Sequence, residues 1–209
     1  MLFSERRKVA DFMRRLYRQG LTTASGGNIS SRVDGGRIVL TPSQTDKGCM
    51  RGEDVGVLGP DGANLTPALK PSIETSLHRE IYRQSARVNA VVHAHPVTAS
   101  ALSATGRQIN THLICEAYAV AGDPVKVPYA CMGSDELADM VCAATERASC
   151  VVMENHGALT IGGSLLEAFN RMEVLETAAK QTVLTDLTGD VQPLSGEQLS
   201  ALDELLGRG

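Results

Sequence analysis

The chain has 209 residues, a hydrophobic fraction of 43% and a net charge of −4. That length sets one large domain or two small ones, the acidic balance leaves no basic footprint for nucleic acid, and an aromatic content of 3% supplies no stacking platforms for bases. No apolar run approaches the roughly 20 residues that span a bilayer, the charged start Met1-Leu2-Phe3-Ser4-Glu5-Arg6-Arg7 lacks the apolar core of a secretory signal, and Cys49, Cys115, Cys131, Cys142 and Cys150 form no CxxC pair and read as reduced thiols of a cytoplasmic protein.

Ser4 to Gln19 reads as a helix, because Val9, Phe12, Met13, Leu16 and Tyr17 recur at three- and four-residue spacing. Ser4 suits its N-cap and Gly20 its stop. Thr22-Thr23-Ala24-Ser25-Gly26-Gly27-Asn28 follows. Its paired glycines permit close approach to a ligand, and its amides and the Ser25 and Asn28 side chains can receive an anion; taken by themselves, the same residues read first as a plain turn between helix and strand. Asn28–Val33 and Arg37–Leu40 flank Asp34-Gly35-Gly36, a hairpin signal. Thr41-Pro42-Ser43-Gln44 turns the chain, its hydroxyls serving either a phosphate or the turn. A short strand is expected near Asp54–Leu58, closed by Gly59-Pro60-Asp61-Gly62.

Lys70-Pro71-Ser72-Ile73-Glu74 opens a helix running to about Ser85, with Ser72 in the N-cap position. Glu74 falls in its first turn. There it pairs favourably with the helix dipole, worth about 0.3–1 kcal/mol, or serves as a carboxylate held beside a metal. His78 is four residues on and shares the face of Glu74; one turn inside the helix, it reads as structural. Val88–Ala94 is a strand and Pro96–Thr105 a short helix. Arg107–Tyr118 has no clear period, although Thr111-His112-Leu113-Ile114-Cys115-Glu116-Ala117-Tyr118 carries an acid, a histidine and a phenol. Gly122-Asp123-Pro124 turns into a strand at Val125–Val127. Ser134 caps a helix from Asp135 to about Ala148. Cys150–Met153 and Ala158–Ile161 pair around Asn155-His156-Gly157. Ser164–Leu184 is a long amphipathic helix, and a last helix lies near Gly196–Leu206. With no repeat and no linker, residues 1–209 read as one α/β domain.

The chemistry gathers at Val91-Val92-His93-Ala94-His95-Pro96. Residues two apart on a strand face the same way, so His93 and His95 can aim at one point. A catalytic zinc site uses three protein ligands and an open position. His156, also at the end of an apolar run, is the third candidate. The alternative is a pair of core strands whose histidines are simply hydrogen-bonded.

Taken in order, Ser25-Gly26-Gly27-Asn28, Thr41-Pro42-Ser43, Lys70-Pro71-Ser72-Ile73-Glu74, His93-Ala94-His95-Pro96 and Asn155-His156-Gly157 resemble the class II aldolase/adducin family, most closely its L-fuculose-1-phosphate aldolase branch. The resemblance runs from about Ser4 to Leu194-Ser195. It implies a central, mainly antiparallel sheet covered by helices, in a homotetramer with sites at the junction of adjacent subunits. It implies that His93, His95 and His156 bind a divalent metal, Zn2+ or another such as Mn2+ or Co2+. Glu74 is then the fourth ligand at rest and the acid/base when substrate displaces it. Ser25, Gly27, Asn28, Ser43 and Ser72 hold the phosphate of a small phosphorylated sugar. The implied reaction is cleavage of a ketose 1-phosphate, such as L-fuculose 1-phosphate or 5-deoxyribulose 1-phosphate, to dihydroxyacetone phosphate and an aldehyde, the metal stabilising the enediolate as a Lewis acid. Several positions depart from the aldolase pattern. Ile73 replaces a serine, Gln44 a glycine, and Glu116 aligns with a proton-donor tyrosine that Tyr118, two residues later, can replace. The tail also lacks a tyrosine. Dehydratase, 4-epimerase and decarboxylase branches share the metal-bound enolate chemistry. Adducin-like binding modules share the fold without the metal histidines.

Overall fold

The structure is a computed structural model that describes residues 2–208; the expected domain limits, residues 1 and 209, lie outside the described residues. Seven strands form one sheet: β1 (Asn28–Val33), β2 (Arg37–Leu40), β3 (Gly56–Leu58), β4 (Ala90–Ala94), β5 (Val125–Val127), β6 (Cys150–Met153) and β7 (Gly157–Gly162). Their order is β3-β2-β1-β4-β7-β6-β5. Every neighbouring pair is antiparallel except β5 with β6. The helices are α1 (Phe3–Arg18), α2 (Thr75–Gln84), α3 (Val97–Ser103), α4 (Cys115–Ala121), α5 (Asp135–Thr145), α6 (Leu165–Thr188) and α7 (Gly196–Leu205). Among the described residues no helix is long and apolar enough to cross a membrane.

Period-two alternation splits the core between the two faces of this sheet. On one face Ile29, Val92 and Ala94 pack with Met13 and Leu16 of α1, Ala99 of α3, Ala117 of α4 and Phe169, Met172 and Leu175 of α6. On the other, Val91, Leu159 and Met153 pack with Leu77 and Ile81 of α2 and Leu137 and Val141 of α5. Each fully buried Val, Leu, Ile, Met or Phe side chain among them contributes about 1.5–3 kcal/mol. β4 lies between β1 and β7, and all five of its residues are buried. That double covering is why its sequence reads as a continuous apolar run, and it carries His93 inward with its neighbours.

Several boundaries differ from the sequence expectation, each for a local reason. Ser4 does not cap α1: the helix begins at Phe3 after Leu2, whose φ is 53°, and no side-chain cap is made. Ser72 is not the N-cap of α2 either. Its Oγ instead accepts the N–H of Glu74 (3.3 Å), and the helix starts at Thr75 with Glu74 in the N-cap position. The segment before β3 is shortened by a 3-10 turn at Gly52–Asp54. The undecided stretch resolves into a 3-10 turn at Thr111–Leu113 followed by α4. α6 runs to Thr188, past the expected Leu184. On α6 the buried Glu176 accepts the N–H groups of Thr98 (3.1 Å) and Ala99 (2.9 Å). A carboxylate from across the core thus satisfies the start of α3 and fixes the chain just after His95.

Candidate metal centre

His93, His95 and His156 converge at one end of the β4–β7 pair, their potential ligand atoms all within 4.8 Å of one another. Ring centroids are 4.8 Å apart for His93–His95, 4.9 Å for His93–His156 and 5.6 Å for His95–His156. The sheet sets each ring. His93 lies opposite Asn28 on β1 and Leu159 on β7, and its Nδ1 is 3.0 Å from the Ala158 carbonyl. A carbonyl only accepts, so Nδ1 carries the proton and Nε2 faces the site. The backbone N–H of His95 donates to the Leu21 carbonyl (3.1 Å). His156 sits in the turn from β6 to β7, where Asn155 takes φ 52° and the His156 N–H donates to Met153 (3.1 Å). Gly157 follows because a Cβ there would lie 2.6 Å from the Ala94 carbonyl oxygen and 2.7 Å from the His95 ring.

Glu74 completes the cluster from the α2 side, 3.3 Å from His93 Nε2 through Oε2 and 3.5 Å from His156 Nε2 through Oε1. The Asn28 amide donates to its Oε2 at 2.7 Å and lies 3.2 Å from Ser72 Oγ. Burial alone would raise the Glu74 pKa; His93, the Asn28 amide, His156 and His78 outweigh it and hold it below the usual carboxylate value. Burial, then His93 and His156, pushes His95 down to about 4. Burial, then His93, lowers His156 too. His95 and His156 are therefore neutral imidazoles near pH 7, with lone pairs to give. Glu74 Oε1, His93 Nε2 and His156 Nδ1 are buried with no hydrogen-bond partner. Orphaned buried polar atoms cost about 1–3 kcal/mol each, and a cation between the Glu74 oxygen and the imidazole nitrogens that face it removes that cost for Glu74 Oε1 and His93 Nε2. The donor set, three nitrogens and a carboxylate, suits zinc and its neighbours.

The loops expected to hold phosphate border this cluster. Gly27 has φ 63°, and a Cβ there would lie 2.7 Å from the His93 carbonyl oxygen, so the Ser25-Gly26-Gly27 loop is pressed onto the histidine strand. Ser25 is exposed and Asn28 buried; Ser43 is half-buried, its N–H donating to Lys70 (3.0 Å), which ties the second loop to the segment before Glu74. Ile73 is 55% exposed beside Glu74. The structure brings His93, His95, His156, Glu74, Asn28 and Ser72 together. It does not bring Glu116 or Tyr118 to them within one chain: Glu116 is exposed in the first turn of α4, and the Tyr118 hydroxyl donates to Asp203 of α7 (2.8 Å). α4 packs against α6, on the sheet face opposite α2.

Sequence reading missed Lys47. It is 1% exposed; its Nζ donates to the Pro42 carbonyl (2.6 Å) and Thr45 Oγ1 (3.2 Å), and its backbone N–H to Ala24 (2.8 Å). It therefore joins the two loops, and burial lowers its pKa to about 8. A lysine in a Gly- and Thr-rich turn carries no burial signal in sequence.

Residues 7–183 match the family described as the class II aldolase and adducin N-terminal domain. An L-fuculose phosphate aldolase of Methanococcus maripaludis is 35% identical over 165 residues, 79% of this chain and 88% of the relative. A 3-oxo-tetronate 4-phosphate decarboxylase of Haemophilus influenzae is 29% identical over 171 residues, 80% of this chain and 81% of the relative. Among solved structures, an L-fuculose 1-phosphate aldolase superposes with a TM-score of 0.89 at 27% identity, covering 98% of this chain and 96% of that one.

Proposed function

Because the chain belongs to the class II aldolase and adducin family, we propose that it is a cytoplasmic, metal-dependent sugar-phosphate aldolase. Its substrate is a ketose 1-phosphate such as L-fuculose 1-phosphate or 5-deoxyribulose 1-phosphate, which it cleaves to dihydroxyacetone phosphate and an aldehyde. The observation that carries this reading is the convergence of buried His93 and half-buried His95 and His156 on an unpaired Glu74 oxygen, next to two loops rich in hydroxyls. Adducin-like binding alone gives no reason to converge three imidazoles on a buried carboxylate.

His93, His95, His156 and Glu74 would hold a divalent cation, zinc by preference. When bound, it supplies Lewis acidity to the substrate oxygens as negative charge develops. Ser25, Gly27, Asn28, Ser43 and Ser72 hold the phosphate and fix the sugar chain against the histidines, which is the positioning contribution. Glu74 Oε1 takes the proton from the carbon beside the carbonyl in condensation and returns it there in cleavage. Glu116 or Tyr118 handles the proton of the aldehyde oxygen. Since neither reaches Glu74 within one chain, this assignment requires a neighbouring subunit, in keeping with a homotetramer whose sites lie at subunit junctions and whose protomer is a single domain over residues 1–209. The exposed, apolar Ile73 beside Glu74 suits a deoxy end of the substrate.

A second reading, decarboxylation of a phosphorylated 3-oxo acid, draws on the relative of that name. The deciding experiment is a cleavage assay on a panel of ketose 1-phosphates, with and without chelator, reading dihydroxyacetone phosphate. Chelator-sensitive release from one of them is expected. No release from a protein with stoichiometric metal would overturn the aldolase and pass the assay to the 3-oxo acid phosphates.

A further inference from the structure

The polar contacts that reach Glu74 continue inward between β1 and α2 as an alternating ladder. Asn28 and Ser30 lie two apart on β1, while Glu74, His78 and Tyr82 lie four apart along α2 and its N-cap. Two strand residues advance about 6.6 Å and four helical residues about 6 Å, so each strand rung falls between helical rungs. Glu74 Oε2 meets Asn28 Nδ2 at 2.7 Å, Asn28 Oδ1 meets His78 Nε2 at 2.5 Å, His78 Nδ1 meets Ser30 Oγ at 2.6 Å, and Ser30 Oγ meets the Tyr82 hydroxyl at 2.7 Å. All five residues are buried, His78 and Ser30 completely.

The carboxylate gives this ladder a single polarity. Glu74 only accepts, so Asn28 must turn its amide nitrogen toward it. Asn28 Oδ1 then accepts from His78, which must carry its proton on Nε2. His78 Nδ1 accepts from the Ser30 hydroxyl, whose oxygen in turn accepts from Tyr82. Asn28, His78 and Ser30 each donate to one neighbour in the ladder and accept from the other, and any reversal would set the Asn28 carbonyl oxygen against the carboxylate. The ladder also decides which Glu74 oxygen is occupied: Oε2 is held, and Oε1 is left unpaired toward His156.

We propose that His78, backed by Ser30 and Tyr82, is a positioning residue that acts through Asn28 to lock the Glu74 carboxylate with Oε1 free for metal and substrate. This deepens the proposed function and rests on the role given there to Glu74. An apolar residue at position 78 would fill the same space but leave the buried Asn28 Oδ1 without its donor, so that the amide holding Glu74 Oε2 loses its anchor.

The test uses the full-length protein with Zn2+ as the probe. Nitrogen-15 NMR of the zinc-loaded chain is expected to find His78 neutral with its proton on Nε2 from about pH 5 to 8. In chelator competition, His78→Leu is expected to weaken zinc binding about 10- to 100-fold, the usual effect of removing an outer partner of a metal ligand. His78→Gln, whose amide can donate to Asn28 and accept from Ser30, is expected to restore most of that affinity. Turnover of His78→Leu should fall in kcat more than in KM. A proton on Nδ1, or a folded His78→Leu that holds zinc as tightly as the parent, overturns the proposal. Should His78→Leu fail to fold, Ser30→Ala, which removes the donor to Nδ1 without opening a large space, decides by the same two readings. A parent protein without aldolase activity would count against the proposed reaction, while the tautomer and zinc affinity would still judge the ladder.

Discussion

The two sides of the site are held by different means. On the histidine side the orientation is inherited from the sheet: His93 is set by its partners on β1 and β7 and by the Ala158 carbonyl, and His156 by the β6–β7 turn. On the loop side it depends on single side chains and single close approaches. Lys47 reaches back to Pro42 and Thr45, its own N–H joins Ala24, and Gly27 touches the His93 backbone. Ladder hydrogen bonds are many and mutually supporting, so one lost contact is shared out. A loop held by one ammonium group has no such reserve. The histidine side should therefore fail through chemistry with the fold intact, and the loop side through loss of local structure.

The largest effect should come from His93→Gln. The β4–β7 ladder survives, so the far-ultraviolet circular dichroism should match the parent, while zinc affinity falls by more than about 100-fold, beyond the loss seen for outer partners alone. Bound zinc measured after dialysis checks it; full occupancy would break the comparison at its strongest point. Next comes Gly27→Ala. Its backbone is left-handed, costing about 1–2 kcal/mol for any residue with a Cβ, and the new methyl would lie 2.7 Å from the His93 carbonyl oxygen, adding about 1–3 kcal/mol of overpacking. Urea unfolding should show a loss of about 3 kcal/mol. A variant as stable as the parent would mean that the loop is not pressed on the strand.

The same division explains what could be read from the sequence. The strand side was legible because period-two alternation and the histidine spacing are both local, and β1, β2, β5 and β6 fall where the pattern puts them. The structural reading of His78 also held, since it is buried and bonded on both nitrogens. The start of α2 was misread because a serine after proline is a good N-cap in isolation. Here the Glu74 carboxylate is drawn off by Asn28, 46 residues away in sequence, and makes no cap of its own. Lys47 was invisible for a similar reason: nothing in Thr45-Asp46-Lys47-Gly48 announces that its ammonium group will be buried against Pro42 and Thr45 while its backbone joins Ala24.

That burial gives a smaller, pH-resolved prediction. The folded chain lowers the Lys47 pKa from 10.5 to about 8. Between those values the unfolded chain binds the extra proton and the folded one does not, so stability gains from Lys47 as pH rises through that window. Below about pH 8 both states are charged, and the gain is absent. Relative to Lys47→Met, the parent should therefore gain up to about 3 kcal/mol between pH 8 and 10.5. Parallel stability curves for the two proteins would show that the ammonium is solvated, and the loop side would lose its distinguishing feature.

The smallest effect sharpens the comparison most, because it separates loop structure from loop function. Gln44 has φ 55°, a left-handed backbone with an exposed side chain, one residue after Ser43. Glycine relieves about 1–2 kcal/mol there but gives back about 0.4–1 kcal/mol through the greater freedom of the unfolded chain. Gln44→Gly should thus be more stable than the parent by no more than about 1.6 kcal/mol, read as a higher urea midpoint with unchanged slope. A strained, exposed glutamine beside Ser43 marks a position where the amide can do something that glycine cannot. If that amide meets substrate, offsetting the hydroxyl that Ile73 lacks, the stabilised variant should raise KM for the sugar phosphate and leave zinc affinity untouched. An unchanged KM would make Gln44 a turn residue and return phosphate recognition to Ser25, Asn28, Ser43, Ser72 and the loop amides.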